Sequence, residues 1–480
     1  MSGNLELLVP VLLPIILGGI VVSSKKLNKT VSLRVITAVV LLFSSAMVLY
    51  NNFFGEKMLH LWNLTDTLPI MFRVDATGRL FSTLVCVMWI LVAFFSFDYI
   101  KHEEREHQVL IALDYAGNLM TMYLCYELMT IITVPLVIHS RTKEAIAAGF
   151  KYLIYSLFGA FMGLLGIFFI NYYGKTLEFV PGGVFSASAL QSNQGILLVV
   201  VFIAILGFST KAGMFPLHGW LPTAHPVAPA PASAILSGII TKSGVLALIR
   251  LIYYIFGADF IRGTWVQYTW IILALITILM GSMMAYKEKV FKKRLAYSTV
   301  SQVSYILLGL ALLTPTAFSG AIMHVVFHST IKITLFLSAG AIIYKTGLTN
   351  VDDYRGIGQK MPITLAFYSV SSLALVGIPP LSGFISKWYL ASGSMESGVE
   401  VLSWLAPVVL LISAILTAGY LLPIILDGYF PGKEFSKKKR DECSPFMLVP
   451  MGILSIATVF FGVVPNGLFD FIQTIVNTVF

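Results

Sequence analysis

The chain has 480 residues, of which 57% are hydrophobic and only 11% charged, with a formal net charge of +9. Soluble domains carry about a quarter charged residues, so a soluble globule, a disordered chain and a nucleic-acid binder are excluded as the main reading. The basic residues lie in short loops between apolar runs rather than in one basic domain, so the positive charge reads as membrane topology.

A membrane helix needs about 20 apolar residues. Such runs fall at 5–22, 31–50, 74–97, 107–123, 124–140, 150–170, 195–220, 228–254, 266–286, 295–313, 318–344, 362–390, 401–427 and 446–473. They predict an all-α polytopic membrane protein with about fourteen transmembrane helices in one membrane domain, 1–480. The first run, Leu7 to Val22, has no basic segment before it and no small-residue cleavage site, and reads as a retained helix rather than a signal peptide. The runs at 107–123 and 124–140 share 34 residues, which is short for two spans and a loop. The alternate loops 23–34, 98–107, 140–151, 287–294, 345–362 and 433–442 carry 22 of the 32 lysines and arginines. The opposite loops carry only Lys57, Arg73, Lys175 and Arg262. This asymmetry places the basic loops in the cytoplasm and both termini outside the cell's inner membrane. One span over 107–140 would break the alternation, so two crossings are predicted there.

Cys86, Cys125 and Cys443 are far apart and form no CxxC, which argues against disulfides, zinc and iron–sulfur clusters. With no phosphate-cradling glycine loop, nucleophile elbow or metal-ligand cluster, neither a cofactor nor a metal is expected. Redox chemistry, if any, belongs to partner subunits.

Ionisable residues inside apolar spans carry the functional signal. They are Glu127, Lys211, Lys242, His324, Lys332 and Lys387. Each is costly at membrane depth unless paired or hydrated, which makes it a candidate for an ion path. The bland reading is snorkelling from a helix end, which suits Arg250 and Asp98 at span edges. Glu127, in MYLCYELMTIITV, is the one acid well inside a span apart from Asp114. One glutamate among several lysines reads as a proton relay or as a static ion pair. His324, His328 and Lys332 are spaced i, i+4 and i+8, which puts them on one helical face. Such a trio reads as a wetted proton path; its alternative is interior histidines bonded to neighbouring carbonyls.

Two helix breakers stand beside buried lysines. FPLHGWLPTAHPVAPAPASA, with five prolines and with His218 and His225, follows Lys211; GIPPLSGF precedes Lys387. Broken backbone at membrane depth is tolerated where it is buried in protein or lines a cavity. Paired breaks in the seventh and twelfth spans point to ion sites in two related halves, although proline kinks are also frequent in membrane helices.

The segments NLMTMYLCYELMTI, STKAGMFPLHGWLPTAHPVAPAPASAILSGIITKSGVLALIR, KRLAYSTVSQVSYILLGL, HVVFHSTIKITLFLSAGAI and GIPPLSGFISKWYL resemble one family across roughly residues 74–430. It is the antiporter-like membrane subunits shared by respiratory complex I, Mrp-type cation/proton antiporters and membrane-bound [NiFe]-hydrogenase complexes. The resemblance implies two inverted five-helix repeats, at 107–254 and 266–427, with discontinuous helices seven and twelve. N-terminal helices one to three occupy 1–106 and a final helix 446–473. It implies that Glu127 pairs with Lys211, and that Lys242, His324, His328 and Lys332 form a central polar axis ending at Lys387. Lysine at 387 makes the chain more similar to the Mrp and hydrogenase types, since some complex I relatives carry glutamate there. Asp75 resembles the acid that opens helix three, and Tyr126 stands where the family usually has tryptophan.

The expected function is therefore proton translocation, with sodium as an alternative ion, by a subunit embedded among other membrane subunits and lipid. Complex I-like quinone oxidoreductase membership, a structural scaffold with a vestigial channel, and a secondary transporter for a small organic solute are the other readings.

Overall fold

A computed structural model describes residues 2–24, 30–65, 68–99, 107–432 and 439–480. Much of the basic charge expected in loops 23–34, 98–107 and 433–442 falls on 25–29, 100–106 and 433–438, outside the described residues. Among the described residues, ten helices are long and apolar enough to cross a membrane. The other expected spans fall on the shorter helices Leu5–Gly18, His107–Asp114 and Pro362–Val376 and on the more polar helix Phe291–Ala311. The protein is a multi-pass integral membrane protein.

Burial sorts the helices into a centre and a rim. Ala230–Phe256 is fully enclosed and Pro315–Thr346 nearly so. These two carry Lys242 and the His324, His328, Lys332 trio, so the polar groups sit where lipid does not reach. Rim helices show one apolar face outward. On Lys143–Tyr173 the exposed face is Phe150, Ile154, Phe158, Phe161 and Phe168. Its opposite face is small: Gly159 and Gly163 meet Gly207 and Phe208 of Gln194–Ala212, the helix that ends in Lys211. Small residues let membrane helices approach closely. A Cβ at Gly159 would lie 2.6 Å from the Gly207 carbonyl oxygen. Gly159→Leu is accordingly expected to destabilise the protein by about 1–3 kcal/mol through overpacking, seen as a lower melting temperature in detergent.

Both expected breaks are present. Gln194–Ala212 stops at Gly213, whose φ of 82° is left-handed, and the chain resumes helix at Leu221–Val227. The Trp220 indole donates to the Thr210 carbonyl at 2.8 Å, tying the resumed chain to the end of the helix it left. Pro362–Val376 stops at Gly377, with φ 97°, and helix resumes at Ser382–Met395.

Four details differ from expectation. The boundary between the fourth and fifth spans lies at 115–118, not at 123/124. His107–Asp114 has eight residues, which is about 12 Å, and Leu119–Ile138 follows. Tyr115–Gly117 bonds instead to strand backbone, with Arg73 N to Tyr115 O at 2.8 Å and Gly117 N to Met71 O at 2.9 Å. Asn118 then caps the next helix by accepting from Thr121 N at 2.7 Å. Second, a small sheet accompanies the helices: Ser2–Gly3, Met58–Thr65 and Leu68–Arg73 form three antiparallel strands. Third, the span at 446–473 is two helices, Pro445–Val463 and Asn466–Val479, divided at Val464 and Pro465. Fourth, Arg250 does not snorkel. It is 1% exposed and forms a bidentate bridge to Asp75 at 2.5 and 2.7 Å, between the rings of Phe179 and Tyr254. Asp98 lies at a span edge, as expected, within reach of Arg34 at 3.8 Å.

Candidate functional site

The site is built where Pro315–Thr346 lies between Ala230–Phe256 and the second helix break. Ala230–Phe256 departs from regular α geometry at Leu236–Ile240, a π segment ending just before Lys242. Such bulges occur often at functional sites. The Lys242 ammonium donates to the Ser237 carbonyl at 2.6 Å within that segment. It also meets His328 Nδ1 at 2.7 Å, across to the Pro315–Thr346 helix. Both side chains are essentially inaccessible to solvent.

From His328 the line continues one turn along the same helix. The His324 and His328 rings stack with centroids 5.7 Å apart. His324 Nδ1 lies 2.8 Å from Ser386 Oγ, on the second half of the broken helix. The next residue is Lys387. Its ammonium folds back onto the end of the first half-helix, donating to Leu375 O at 2.5 Å and Val376 O at 2.9 Å. Those carbonyls sit at the negative end of a helix, where a cation is favoured. Gly377, with a φ of 97° that favours glycine, leaves room for this approach: a Cβ there would lie 3.1 Å from the Lys387 stem, a tight contact. Tyr305 closes the group, its ring 5.6 Å from His324 and 5.3 Å from the Lys387 nitrogen.

The order along this axis differs from the order in sequence. Lys332 is not between the histidines and Lys387. It lies one turn the other way and donates to Leu295 O at 3.1 Å. Two hydroxyls lie between it and the residue whose carbonyl holds Lys242. Thr299 Oγ1 shares the Leu295 carbonyl at 2.9 Å and contacts Ser237 Oγ at 2.7 Å. His225 packs over Phe336, with ring centroids 4.9 Å apart, near Lys332 and Lys242, and neither of its ring nitrogens has a protein partner. His324 Nε2 and His328 Nε2 are also unpartnered. Buried polar atoms of this kind are commonly satisfied by internal water.

Lys211 stands apart from the axis. It is fully buried, and its ammonium donates to Tyr126 O at 3.1 Å and Thr130 Oγ1 at 2.5 Å, with the Tyr126 ring 4.0 Å below it. The ring contact is a cation–π interaction, and it gives the aromatic residue at 126 a direct role in holding the lysine. Glu127 is half-buried and close enough to act on Lys211 electrostatically. The expected Glu127–Lys211 ion pair is not closed in this conformation, because Lys211 is held by the neighbouring helix turn.

Sequence reasoning missed Tyr305, Ser386, Thr130 and the Ser237–Thr299 bridge. Ser386 and Thr130 stand beside residues already singled out, yet uncharged hydroxyls give no signal in an apolar run.

A profile described as NADH:quinone oxidoreductase/Mrp antiporter, transmembrane, matches residues 116–417. An NADH-quinone oxidoreductase subunit of Desulforudis audaxviator is 34% identical over 374 residues, 75% of this chain and 72% of that one. The chain belongs to this family. Within it, a Na(+)/H(+) antiporter subunit of Alkalihalophilus pseudofirmus is 27% identical, covering 98% of this chain and 96% of the relative. The fold matches a protein in the structure of the Mrp complex from Dietzia sp. DQ12-45-1b with a TM-score of 0.85 and 21% identity, covering 99% and 98% of the two chains. The matched region contains Glu127, Lys211 and the whole axis from Lys242 and Lys332 to Lys387.

Proposed function

We propose that this protein is a proton-translocating subunit of a multisubunit membrane complex, driven by redox chemistry or a cation gradient in its partners. The observation that carries the reading is the buried series from Lys242 to His328 at 2.7 Å, the stacked His324 ring and Ser386 at 2.8 Å, with Lys387 the next residue in the chain. A proton taken up near Lys242 or Lys332 passes along this series to Lys387. Each group that gains the proton carries its charge until it passes it on, so the excess charge moves along the series and each group returns to its starting state.

Glu127 and Lys211 gate the series. When Glu127 and Lys211 pair, Lys211 holds its charge and repels a proton on Lys242. When the pair opens, as with Lys211 turned to Tyr126 and Thr130, the barrier falls. Charges ~4 Å apart interact by about 4 kcal/mol at an effective dielectric of 20, enough to switch occupancy. The division into 1–106, the repeats 107–254 and 266–427, and 446–473 belongs to this reading. So does residence in the cell's inner membrane with both termini outside, the side opposite the basic loops. The antiporter relative favours an Mrp-type assembly through its near-complete coverage, and the higher identity of the oxidoreductase relative favours a redox-driven one. Genes for a nickel–iron large subunit beside this one would decide for redox coupling.

The test is Glu127→Ala and Lys211→Ala in the assembled complex, reconstituted in vesicles. Both are expected to lose ion pumping while the subunits stay together. Unchanged pumping in intact complexes would refute the gate, and loss of assembly with normal residual transport would favour a scaffold.

A further inference from the structure

The half-helix Pro362–Val376 supplies the two carbonyls that receive Lys387, yet it brings no cap for its own start. Met361 precedes it and makes no side-chain hydrogen bond there. The buried hydroxyls of Tyr368, Ser371 and Ser372 bond to no other helix. Packed helices can slide past one another in small shear motions, so the axial placement of this one depends on its two ends. One end is tied by the Lys387 ammonium.

The other end is held from 78 and 79 residues further along the chain, by Glu442. Ile363 N and Thr364 N donate to its Oε1 at 2.5 and 3.2 Å, and the Thr364 hydroxyl donates to its Oε2 at 2.8 Å. These are amides that no intrahelical acceptor reaches, and an anion is favoured at this pole of the helix. The neighbours of Glu442 anchor it in turn. Asp441 N donates to Lys360 O at 2.9 Å, and the Asp441 carboxylate accepts from Lys345 at 2.8 Å. Lys345 lies in the last turn of Pro315–Thr346, the helix that carries His324, His328 and Lys332. The Cys443 thiol reaches the Ala341 carbonyl of the same helix at 3.8 Å, and the Ser444 hydroxyl donates to Asp98. Residues 441–444 thus clasp the start of the half-helix to the end of the helix that bears the histidines.

We propose that Glu442 is a positioning residue for Lys387, fixing the half-helix along its axis and so the two carbonyls that receive the ammonium. This inference rests on the function proposed above, in which Lys387 takes up and releases the proton. Glu442 acts through placement rather than charge. The 15 residues of the half-helix span about 22 Å, roughly twice the distance over which exposed charges are screened. Without the clasp the half-helix shifts, the carbonyls fit the ammonium less well, and protonation of Lys387 needs a higher proton concentration.

The groups that face Lys387 are the rings of His324 and Tyr305, with His328 behind His324. Of the other helices packed on Ser382–Met395, Pro362–Val376 adds Tyr368 and Pro445–Val463 adds no titratable side chain. Glu400–Tyr429 adds Tyr420, its Glu400, Asp427 and Tyr429 lying at the ends.

The test is the pH profile of translocation by the assembled complex in vesicles, normalised to retained subunits. Glu442→Ala is expected to move the midpoint down by about one pH unit, a tenfold fall in proton affinity. Glu442→Gln keeps an acceptor for the two amides and is expected to hold the midpoint near its original value. Thr364→Val removes only the hydroxyl contact and is expected to give a smaller shift in the same direction, and it serves if Glu442→Ala fails to assemble. An unmoved midpoint in the assembled alanine and valine variants overturns the inference, even if melting temperature falls, because a merely structural tie would do that alone. A shift in Glu442→Gln as large as in Glu442→Ala overturns it too, in favour of charge. Lys387→Met, measured in parallel, separates the two levels. If it is inactive while the Glu442 variants are unmoved, this inference alone falls; if it still transports, the function proposed above falls with it.

Discussion

Lys387→Met is expected to abolish ion translocation in the assembled complex, because the buried axis ends at this amine. The axis approaches it through His324 and Ser386, and the Tyr305 ring lies against both His324 and the Lys387 nitrogen. A positioned acid–base group typically contributes about 10²–10⁴ in rate, so a loss of at least 100-fold is expected in vesicle transport assays. Two opposing effects set the stability of the variant. Removing a buried charge relieves its desolvation penalty, whereas the Leu375 and Val376 carbonyls lose their donor. An unsatisfied buried acceptor is destabilising by about 1–3 kcal/mol, so a modest fall in melting temperature is expected with the complex still assembled. Lys387→Arg separates charge from proton exchange. The guanidinium keeps a donor on the half-helix carbonyls but holds its proton permanently. It is expected to restore thermal stability and remain inactive. Transport by Lys387→Arg would mean that the lysine acts as a fixed charge rather than as a carrier.

The legible parts of this protein are those that violate the rules of an apolar chain. Lysine at 211, 242, 332 and 387 and histidine at 324 and 328 stand out because the bilayer penalises them, and the structure gathers most of them into one line. The two breaks were legible because proline and glycine punctuate helices whatever surrounds them. What escaped was whatever looks ordinary in one dimension. Periodicity placed Lys332 on the histidine face but gave no direction along it, and the structure sets it on the far side from Lys387. Ser413, Ser301 and Ser282 are ordinary residues of three separate helices and come within hydrogen-bond reach only where those helices meet. The strands Met58–Thr65 and Leu68–Arg73 lie in a loop between spans, where the hydropathy count assigns nothing. The pairing of Leu68–Arg73 with Tyr115–Gly117 is also what ends His107–Asp114 so early, a tertiary cause that no local pattern announces.

Asp75→Ala is expected to be the most destabilising single change outside the conducting line. Arg250 lies in the enclosed helix Ala230–Phe256, and its two bonds to Asp75 are its only ion pair among the described residues. Removing one partner of a buried bridge strands the other charge and costs about 3–5 kcal/mol. The expected readout is a large drop in melting temperature and in the yield of assembled complex. The paired replacement Asp75→Asn with Arg250→Met removes both charges, and buried pairs replaced by neutral groups of similar size are often tolerated. It should therefore recover most of the loss, and the coupling measured by the double-mutant cycle should be large. One neighbour sets the outcome's upper bound. Asp114 is buried near Arg250 and has an oxygen without a partner. If the guanidinium swings to it when Asp75 is lost, the penalty of Asp75→Ala will fall well below the range for a stranded charge. Asp75→Ala combined with Asp114→Asn would then restore the full penalty, identifying Asp114 as the alternative anchor.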